Sequence, residues 1–226
     1  MAQAVPHTRF SDVRRFAEVD STNRVAVDLV RAGAPDGVVV VADHQTAGRG
    51  RGGRTWESPP GASLLVSVVL RPAPALVTLA AGVAAAEACE AVTGTPVRLK
   101  WPNDLLAVDS RKLGGILSEL VDGAAVVGLG VNLAWAPPGA ASLGGAVDRD
   151  ALLEAWLDAL DRPGDVLGRY RGRCATLGRR VLVALPGTTV AGVATDVDDL
   201  GRLLVDGRAI AAGDVVHVTG GEPLRG

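Results

Sequence analysis

The first part of the chain mixes two hydrophobic patterns. Five short runs rich in Val, Ile and Leu predict buried strands: GVVVVADHQ, SLLVSVVL, VRLK, GILSEL and AAVVGLGV. Four other stretches have apolar residues at helical spacing and predict helices: the run from Ser21 to Gly33, LVTLAAGVAAAEACEAV before Gly94, DRDALLEAWLDALD, and Val166 to Cys174. Strands and helices mixed in this way predict an α/β domain, which we place over residues 1–177.

From Gly178 the pattern changes to short alternating stretches separated by Gly and Asp turns. These stretches are RRVLVAL, TTVAGVATDVDD, GRLLVDG and AIAAGDVVHVTG. Period-two alternation with such turns is typical of antiparallel strands. We therefore predict a second domain over residues 178–226, a small β-barrel.

Composition narrows the function classes. The 226 residues are 48% hydrophobic and 21% charged, with a net charge of -2, which argues against a protein that coats nucleic acid or an anionic membrane. No stretch approaches about 18 uninterrupted apolar residues, so we expect a cytoplasmic protein without membrane contact. Cys89 and Cys174 stand apart from each other and from any His at ligand spacing, and they predict two buried thiols.

Lysine is scarce in this chain. Of 23 cationic residues only two are lysine, Lys100 and Lys112, and both lie in LKWPNDLLAVDSRKLGGIL. An ammonium is a compact point charge that a planar guanidinium cannot imitate in a narrow site. The pair therefore indicates a chemical role, with a chance coincidence as the alternative.

TAGRGRGGRTW, residues 46–56, is a glycine-rich loop with three arginines. Exposed amide groups and fixed positive charge suit a phosphate or polyphosphate ligand. The loop is not a P-loop, since GxxxxGK[ST] is missing, and a turn and a strand follow where a dinucleotide motif requires a helix. The alternative is a flexible surface turn.

Five segments in this order resemble the catalytic domain of the biotin protein ligases: STN, HQTAGRGRGGRTW, KWPNDLL, RKLGGILSE and GLGVNL, between about Asp20 and Leu133. The resemblance implies a class II synthetase-like mixed β-sheet packed with helices, followed by an SH3-like barrel. It also implies that biotin and MgATP form biotinyl-5′-AMP and pyrophosphate. Biotin then passes to one lysine of a biotin carboxyl carrier protein of a biotin-dependent carboxylase.

The resemblance also implies roles for individual residues. Catalytic roles fall on Lys112, Arg49, Arg51 and Asp104. Biotin contacts are implied for Ser21, Thr22, Asn23, Gln45, Gly48, Arg49, Gly50, Arg51, Lys112 and Gly115. Nucleotide contacts are implied for Arg49, Arg51, Arg54, Trp56, Lys100, Asn103, Lys112 and Asn132.

Several of these residues have a purely structural alternative. Ser21 is also a helix N-cap, a role compatible with binding. Trp56 is a candidate either to stack on adenine or to anchor the loop to the core, and Asn103 and Asp104 also suit a turn after Pro102. This chain has Gly52 where many members of the resembled family carry a basic or bulky residue, so we expect no side-chain contact from position 52.

The sequence says less about binding partners than about site residues. Some relatives bind DNA through an amino-terminal helix-turn-helix, and about twenty residues before Ser21 are too few for one, so we expect no DNA binding. The sequence leaves open the Mg²⁺ ligands, the identity of the carrier and whether the chain forms a homodimer. Two rival functions are a lipoate protein ligase, whose RRxxGGGxVxHD-like loop is absent, and a nucleic-acid-binding module, which the net charge disfavours.

Overall fold

The computed structural model describes residues 9–162 and 164–218. In the first of these ranges, seven strands form one sheet: β1 Val13–Val19, β2 Val39–Gln45, β3 Ser63–Leu70, β4 Arg98–Lys100, β5 Asp104–Leu106, β6 Lys112–Val121 and β7 Ala124–Asn132. Their order across the sheet is β1-β2-β3-β7-β6-β5-β4. β1 and β2 pair in parallel and the other described neighbours are antiparallel, so the sheet is mixed, as predicted.

The five predicted strands correspond to β2, β3, β4, β6 and β7, whereas β1 and β5 were not predicted. β1 is an edge strand of sequence VRRFAEV, largely exposed or half-buried. Three of its seven side chains are charged, so its sequence lacks the alternating hydrophobic pattern that predicts a strand. β5 has only three residues, too few to show a period.

Four helices of the described chain match the four predicted: α1 Thr22–Arg31, α2 Val77–Thr93, α3 Arg149–Asp161 and α4 Val166–Arg173. α2 and α3 pack on one face of the sheet, in a core that includes Val39, Val41 and Trp156. α1 covers the other face, where Val38 and Val40 are buried. Because successive residues of β2 are buried on opposite faces, its hydrophobic run is continuous rather than alternating.

The C-terminal residues fold into a second sheet. Five antiparallel strands are described there: β8 Arg180–Leu185, β9 Thr188–Val197, β10 Leu203–Val205, β11 Arg208–Ile210 and β12 Asp214–His217. They lie in the order β11-β10-β9-β8-β12. The predicted all-β unit is therefore present.

One strand prediction was wrong. The pattern predicts one strand in AIAAGDVVHVTG, but residues 211–213 separate β11 from β12. Gly213 lies so close to β8 that a Cβ there would come within 2.5 Å of Val183 Cγ1, which requires glycine at this turn. Residues 219–220 of that stretch lie outside the described residues, as do residues 1–8 and 219–226 of the two predicted domains. The boundary after residue 177 stays a prediction.

Two buried groups join the KWPND turn to the second sheet. Trp101 is 1% exposed, and its indole Nε1 donates to Gly201 O at 2.9 Å. Its backbone N donates to Thr176 Oγ1 at 3.1 Å, and His217 Nε2 lies 3.1 Å from the same hydroxyl. The second sheet therefore packs directly behind the turn that carries Asn103 and Asp104.

The prediction made for the two cysteines is confirmed. Cys89 and Cys174 are buried free thiols, as predicted. Among the described helices, none combines the length and apolarity that crossing a bilayer requires.

Candidate active site

A cleft of about 690 Å³, including its open mouth, lies where the sequence-predicted segments meet. Thirteen of the predicted residues line it: Ser21, Thr22, Asn23, Gln45, Arg49, Gly50, Arg51, Arg54, Trp56, Asn103, Asp104, Lys112 and Gly115. The fold thus brings together residues from α1, β2, the glycine-rich loop, β5 and β6.

The floor of the cleft is a hydrogen-bonded network. Gln45 Oε1 accepts from Thr22 N at 2.8 Å and from Thr22 Oγ1 at 3.0 Å. The Ser67 hydroxyl, fully buried in β3, lies 2.8 Å from Thr22 Oγ1 and 2.7 Å from Asn23 Oδ1. These bonds fix the orientation of donors and acceptors before any ligand enters.

Ser21 occupies the N-cap of α1, as predicted, but its side chain makes no capping hydrogen bond. The first backbone N–H of the helix, Thr22 N, donates to Gln45 instead. The Ser21 hydroxyl is consequently not used for capping, although the residue is 3% exposed and lines the cleft.

Asn23 is held on every side by protein groups. Its Nδ2 donates to Leu117 O at 3.2 Å and to Glu119 Oε1 at 2.9 Å. A Cβ on Gly128 would lie 2.1 Å from Asn23 Oδ1, so β7 needs glycine there to admit the amide. Asn23 ties α1 to β6, and its predicted contact with biotin stays a prediction.

Lys112 and Asp104 form an ion pair at one side of the cleft, with Nζ 2.6 Å from Oδ1. The two residues come from neighbouring antiparallel strands, and Gly115 is the register partner of Asp104. A Cβ on Gly115 would already be in van der Waals contact with both charged groups, at 3.5 Å and 3.6 Å. The glycine therefore leaves the space above the pair open.

Asn103 fixes the turn that precedes β5. Its Nδ2 donates to Ile116 O at 2.8 Å, and its carbonyl accepts from Ile116 N at 2.8 Å. These bonds lock Asp104 opposite β6.

The glycine-rich loop folds back on itself. Trp56 N donates to Gly48 O at 2.9 Å, and Arg49 and Thr55 form an antiparallel bridge. A Cβ on Gly48 would lie 2.3 Å from Trp56 O, so this close approach requires glycine. Gly52 has φ 67°, a conformation that also favours glycine.

The loop arginines have carboxylate partners in two different places. Arg49 Nη1 lies 3.1 Å from Glu119 on β6. Arg51 Nη2 and Arg54 Nη2 lie 2.7 Å and 2.6 Å from one oxygen of Asp214, at the start of β12 in the second sheet. The second sheet thus contributes a charge at the edge of the cleft.

A second cavity adjoins the first at Trp56 and Lys112 and is also lined by Asn132. The Trp56 ring packs against Gly130, where a Cβ would come within 2.7 Å of the ring. Within the described chain, Trp56 Nε1 and Asn132 Oδ1 are buried without a hydrogen-bond partner. The Trp56 ring therefore packs the loop against β7, and its stacking on adenine stays a prediction.

Gly48, Lys100 and Asn132 are not among the residues that line the first cleft. Gly48 lies in the turn of the loop, and Asn132 reaches the adjoining cavity. Burial lowers the pKa of the Lys100 amine below its usual 10.5, and Asp104 offsets this only in part. Lys100 is half-buried behind the site.

Sequence reasoning missed five residues of the site: Ser67, Glu119, Asp214 and the β7 glycines Gly128 and Gly130. Ser67 interrupts an apolar run, and Gly128 and Gly130 are two residues apart, on one face of a strand. The polar residue in an apolar strand and the paired glycines are visible in the sequence and could have indicated these site residues. Asp214 lies 160 residues beyond Arg54, and no local pattern indicates their contact.

The described residues contain no group of three or more His, Cys, Asp or Glu side chains placed to hold a metal ion. Mg²⁺ often keeps several waters and binds through substrate phosphates with one or two carboxylates.

Comparisons with known proteins give consistent matches. Residues 16–133 match the model of the biotin/lipoate A/B protein ligase family, and residues 176–218 match that of the biotin protein ligase C terminal domain. The chain is 39% identical to the biotin--[acetyl-CoA-carboxylase] ligase of Mycobacterium tuberculosis, over 89% of this chain and 87% of that protein. It is 34% identical to the ligase of the same name from Paracoccus denitrificans, over 86% of this chain and 94% of that one.

Among solved structures, the biotin protein ligase of Aquifex aeolicus in complex with biotin and ATP matches with a TM-score of 0.78 and 28% identity. The match covers 92% of this chain and 98% of that chain. It therefore extends over both sheets.

Proposed function

Since the chain belongs to the biotin/lipoate A/B protein ligase family, we propose that it is a biotin protein ligase. It activates biotin with ATP to biotinyl-5′-AMP and pyrophosphate, and it transfers the biotinyl group to a lysine of a biotin carboxyl carrier protein. The five-stranded second sheet is the SH3-like C-terminal unit of this fold. The observation that carries the proposal is the Lys112–Asp104 pair in a cleft that three loop arginines also line.

In the first step, a carboxylate oxygen of biotin bonds to the α-phosphorus of ATP, and the bond to the bridging oxygen breaks to release pyrophosphate. Two anions must approach each other, so the main obstacle is electrostatic. The Lys112 ammonium would offset this repulsion, with Arg49 and Arg51 assisting. The Thr22–Gln45 network would hold the ureido ring, which needs both donors and acceptors.

The nucleotide would extend from Lys112 into the adjoining cavity. Lys112 lines both cavities, which supports a role for its amine between the proposed biotin and nucleotide sites. Trp56 and Asn132, which line that cavity, would contact the base or ribose. Mg²⁺ would be carried by the phosphates.

In the second step, the lysine amine of the carrier attacks the acyl carbon of the adenylate and AMP leaves. The amine must be neutral to attack, and a carboxylate within reach can orient it and accept its proton. Asp104 is the candidate, since it is 21% exposed and already accepts from an ammonium, that of Lys112. When Lys112 engages the phosphate, Asp104 becomes available for the incoming amine.

A lipoate ligase is the rival within the family. The match of residues 176–218 to the biotin protein ligase C terminal domain, and the names of both high-coverage relatives, favour biotin. The carrier would be the carboxylase subunit or domain that those names indicate. Absence of DNA binding and a choice between monomer and homodimer stay predictions.

The test is pyrophosphate release from MgATP with biotin, with lipoate or with nucleic acid, followed by mass spectrometry of a carrier domain. We expect release with biotin alone, and a gain of one biotinyl group on one carrier lysine. Release with lipoate but not with biotin would overturn the proposal.

A further inference from the structure

The second sheet reaches the glycine-rich loop through one carboxylate. Asp214 Oδ1 accepts from Arg51 Nη2 at 2.7 Å and from Arg54 Nη2 at 2.6 Å. Arg51 Nη2 also donates to the neighbouring carbonyl, Gly213 O. Both arginines line the cleft at the same time. The loop is therefore held from outside the catalytic sheet at two of its three arginines.

Asp214 is an anion at neutral pH. Partial burial raises the pKa of its carboxyl, but the charges of Arg54 and Arg51 and their hydrogen bonds lower it by more, so it lies below the usual 3.8. Two guanidinium groups converging on one oxygen form the arrangement that also binds a phosphate or a carboxylate of a substrate. Asp214 thus binds the two guanidinium groups that the nucleotide phosphates would need.

The Arg54 contact is open to solvent, whereas the Arg51 side chain is 27% exposed and also donates to Gly213 O. The Arg54 and Asp214 side chains are 59% and 55% exposed, and exposed ion pairs are only weakly favourable. A polyphosphate carries more charge than one carboxylate and can displace it. Arg49 is held differently, because its partner Glu119 also accepts from the buried Asn23 and belongs to the catalytic sheet.

We propose that Asp214 is an internal stand-in for the substrate phosphates: it holds Arg51 and Arg54 in the empty enzyme, and the nucleotide must displace it. This inference rests on the proposed function for the identity of the displacing anion. It makes two predictions of opposite sense. Removing the charge of Asp214 loosens the empty loop, and it strengthens the binding of phosphates.

The test compares Asp214→Asn with the wild-type chain in two measurements. Trypsin, which cuts after arginine, reports loop mobility between Gly48 and Arg54 in the empty protein, and we expect faster cleavage in the variant. Calorimetry reports the affinity for inorganic pyrophosphate and for a non-hydrolysable ATP analogue, which we expect to rise about three- to tenfold.

Two further variants serve as controls. Asp214→Glu keeps the charge and should restore slow cleavage and wild-type affinity. Asp196→Asn removes a carboxylate of the second sheet that pairs with Arg171 at 2.8 Å, away from the loop, and should change neither measurement.

Weaker or unchanged phosphate binding in Asp214→Asn would overturn the inference, because the carboxylate would then organise the site or play no part. Unchanged trypsin cleavage would overturn it as well. Failure of the proposed function is recognised separately, since the wild-type chain would then release no pyrophosphate in response to biotin.

Discussion

The floor of the cleft and the loop that borders it are held by contacts of different strength. The floor is built from buried groups, with Ser67 0% and Asn23 3% exposed, joined by hydrogen bonds that folding itself creates. The loop is held by ion pairs whose members are 26–59% exposed. The floor is therefore fixed before ligands arrive, whereas the loop can exchange its partners for theirs.

We therefore expect the floor and the loop to have different roles in the proposed reaction. A rigid floor suits recognition of a neutral ring that needs fixed donors and acceptors. A loop with replaceable partners suits charged groups that enter, react and leave. It would also shield a mixed anhydride from water once it closes.

The largest effect is expected where the two regions meet, at Lys112. Lys112→Ala should lower the rate of adenylate formation about 10²–10³-fold, because it removes a preorganised cation from the reacting anions. Lys112→Arg should recover little, since a planar fork cannot replace a point charge beside Asp104. Single-turnover formation of biotinyl-5′-AMP is the measurement, and near-wild-type rates in either variant would refute the assignment.

A smaller loss should follow from disturbing the floor. In Gly128→Ala the new Cβ would lie 2.1 Å from Asn23 Oδ1, so the amide must move and its bonds to Ser67 and Glu119 must weaken. We expect the free energy of unfolding to fall by about 1–3 kcal/mol, and the KM for biotin to rise. Urea unfolding and steady-state kinetics measure the two effects.

Gly172→Ala is the matched control for this variant. The added Cβ of this α4 residue meets nothing within 4 Å, so we expect no loss of stability. Equal destabilisation of both variants would show that Gly128 has no special relation to Asn23.

The sequence predicts the buried elements and the local motifs, and it misses the exposed edge strand and the contacts that depend on tertiary packing. The apolar strands and helices were predictable because burial imposes a period, and GRGRGG, KWPND and RKLGG marked the cleft because the glycines and charges are local to each segment. The edge strand β1 was missed because its charged residues conceal the period. The contact of Asp214 with the loop depends on how the second sheet packs, which no local pattern specifies.

The loop should respond to ligands where the floor does not. Biotin and a non-hydrolysable ATP analogue together should slow proteolysis between Gly48 and Arg54 several-fold, because anions replace weak ion pairs by stronger charge-assisted contacts. Either ligand alone should protect less. Cleavage that does not depend on ligands would argue against a closing loop.

The smallest expected effect is on the pH dependence of stability, at His217, where the second sheet packs behind the KWPND turn. Burial, with Lys100 and Arg179 nearby, lowers the pKa of His217 to about 4 from the usual 6.5. As pH falls from 6.5 toward 4, the unfolded chain therefore takes up a proton that the folded chain does not, and the free energy of unfolding decreases. His217→Gln should make this decrease shallower in denaturant titrations at several pH values. An equally steep decrease would contradict the assignment.

The central claim is that Lys112 brings the biotin carboxylate and the α-phosphate together on a preformed floor. A crystal structure with biotin and a non-hydrolysable ATP analogue tests it most directly. We expect Lys112 Nζ within hydrogen-bonding distance of both anions, with the Thr22–Gln45 and Ser67–Asn23 contacts unchanged from the empty protein. A Lys112 amine directed into bulk solvent, with both ligands bound, would contradict the account.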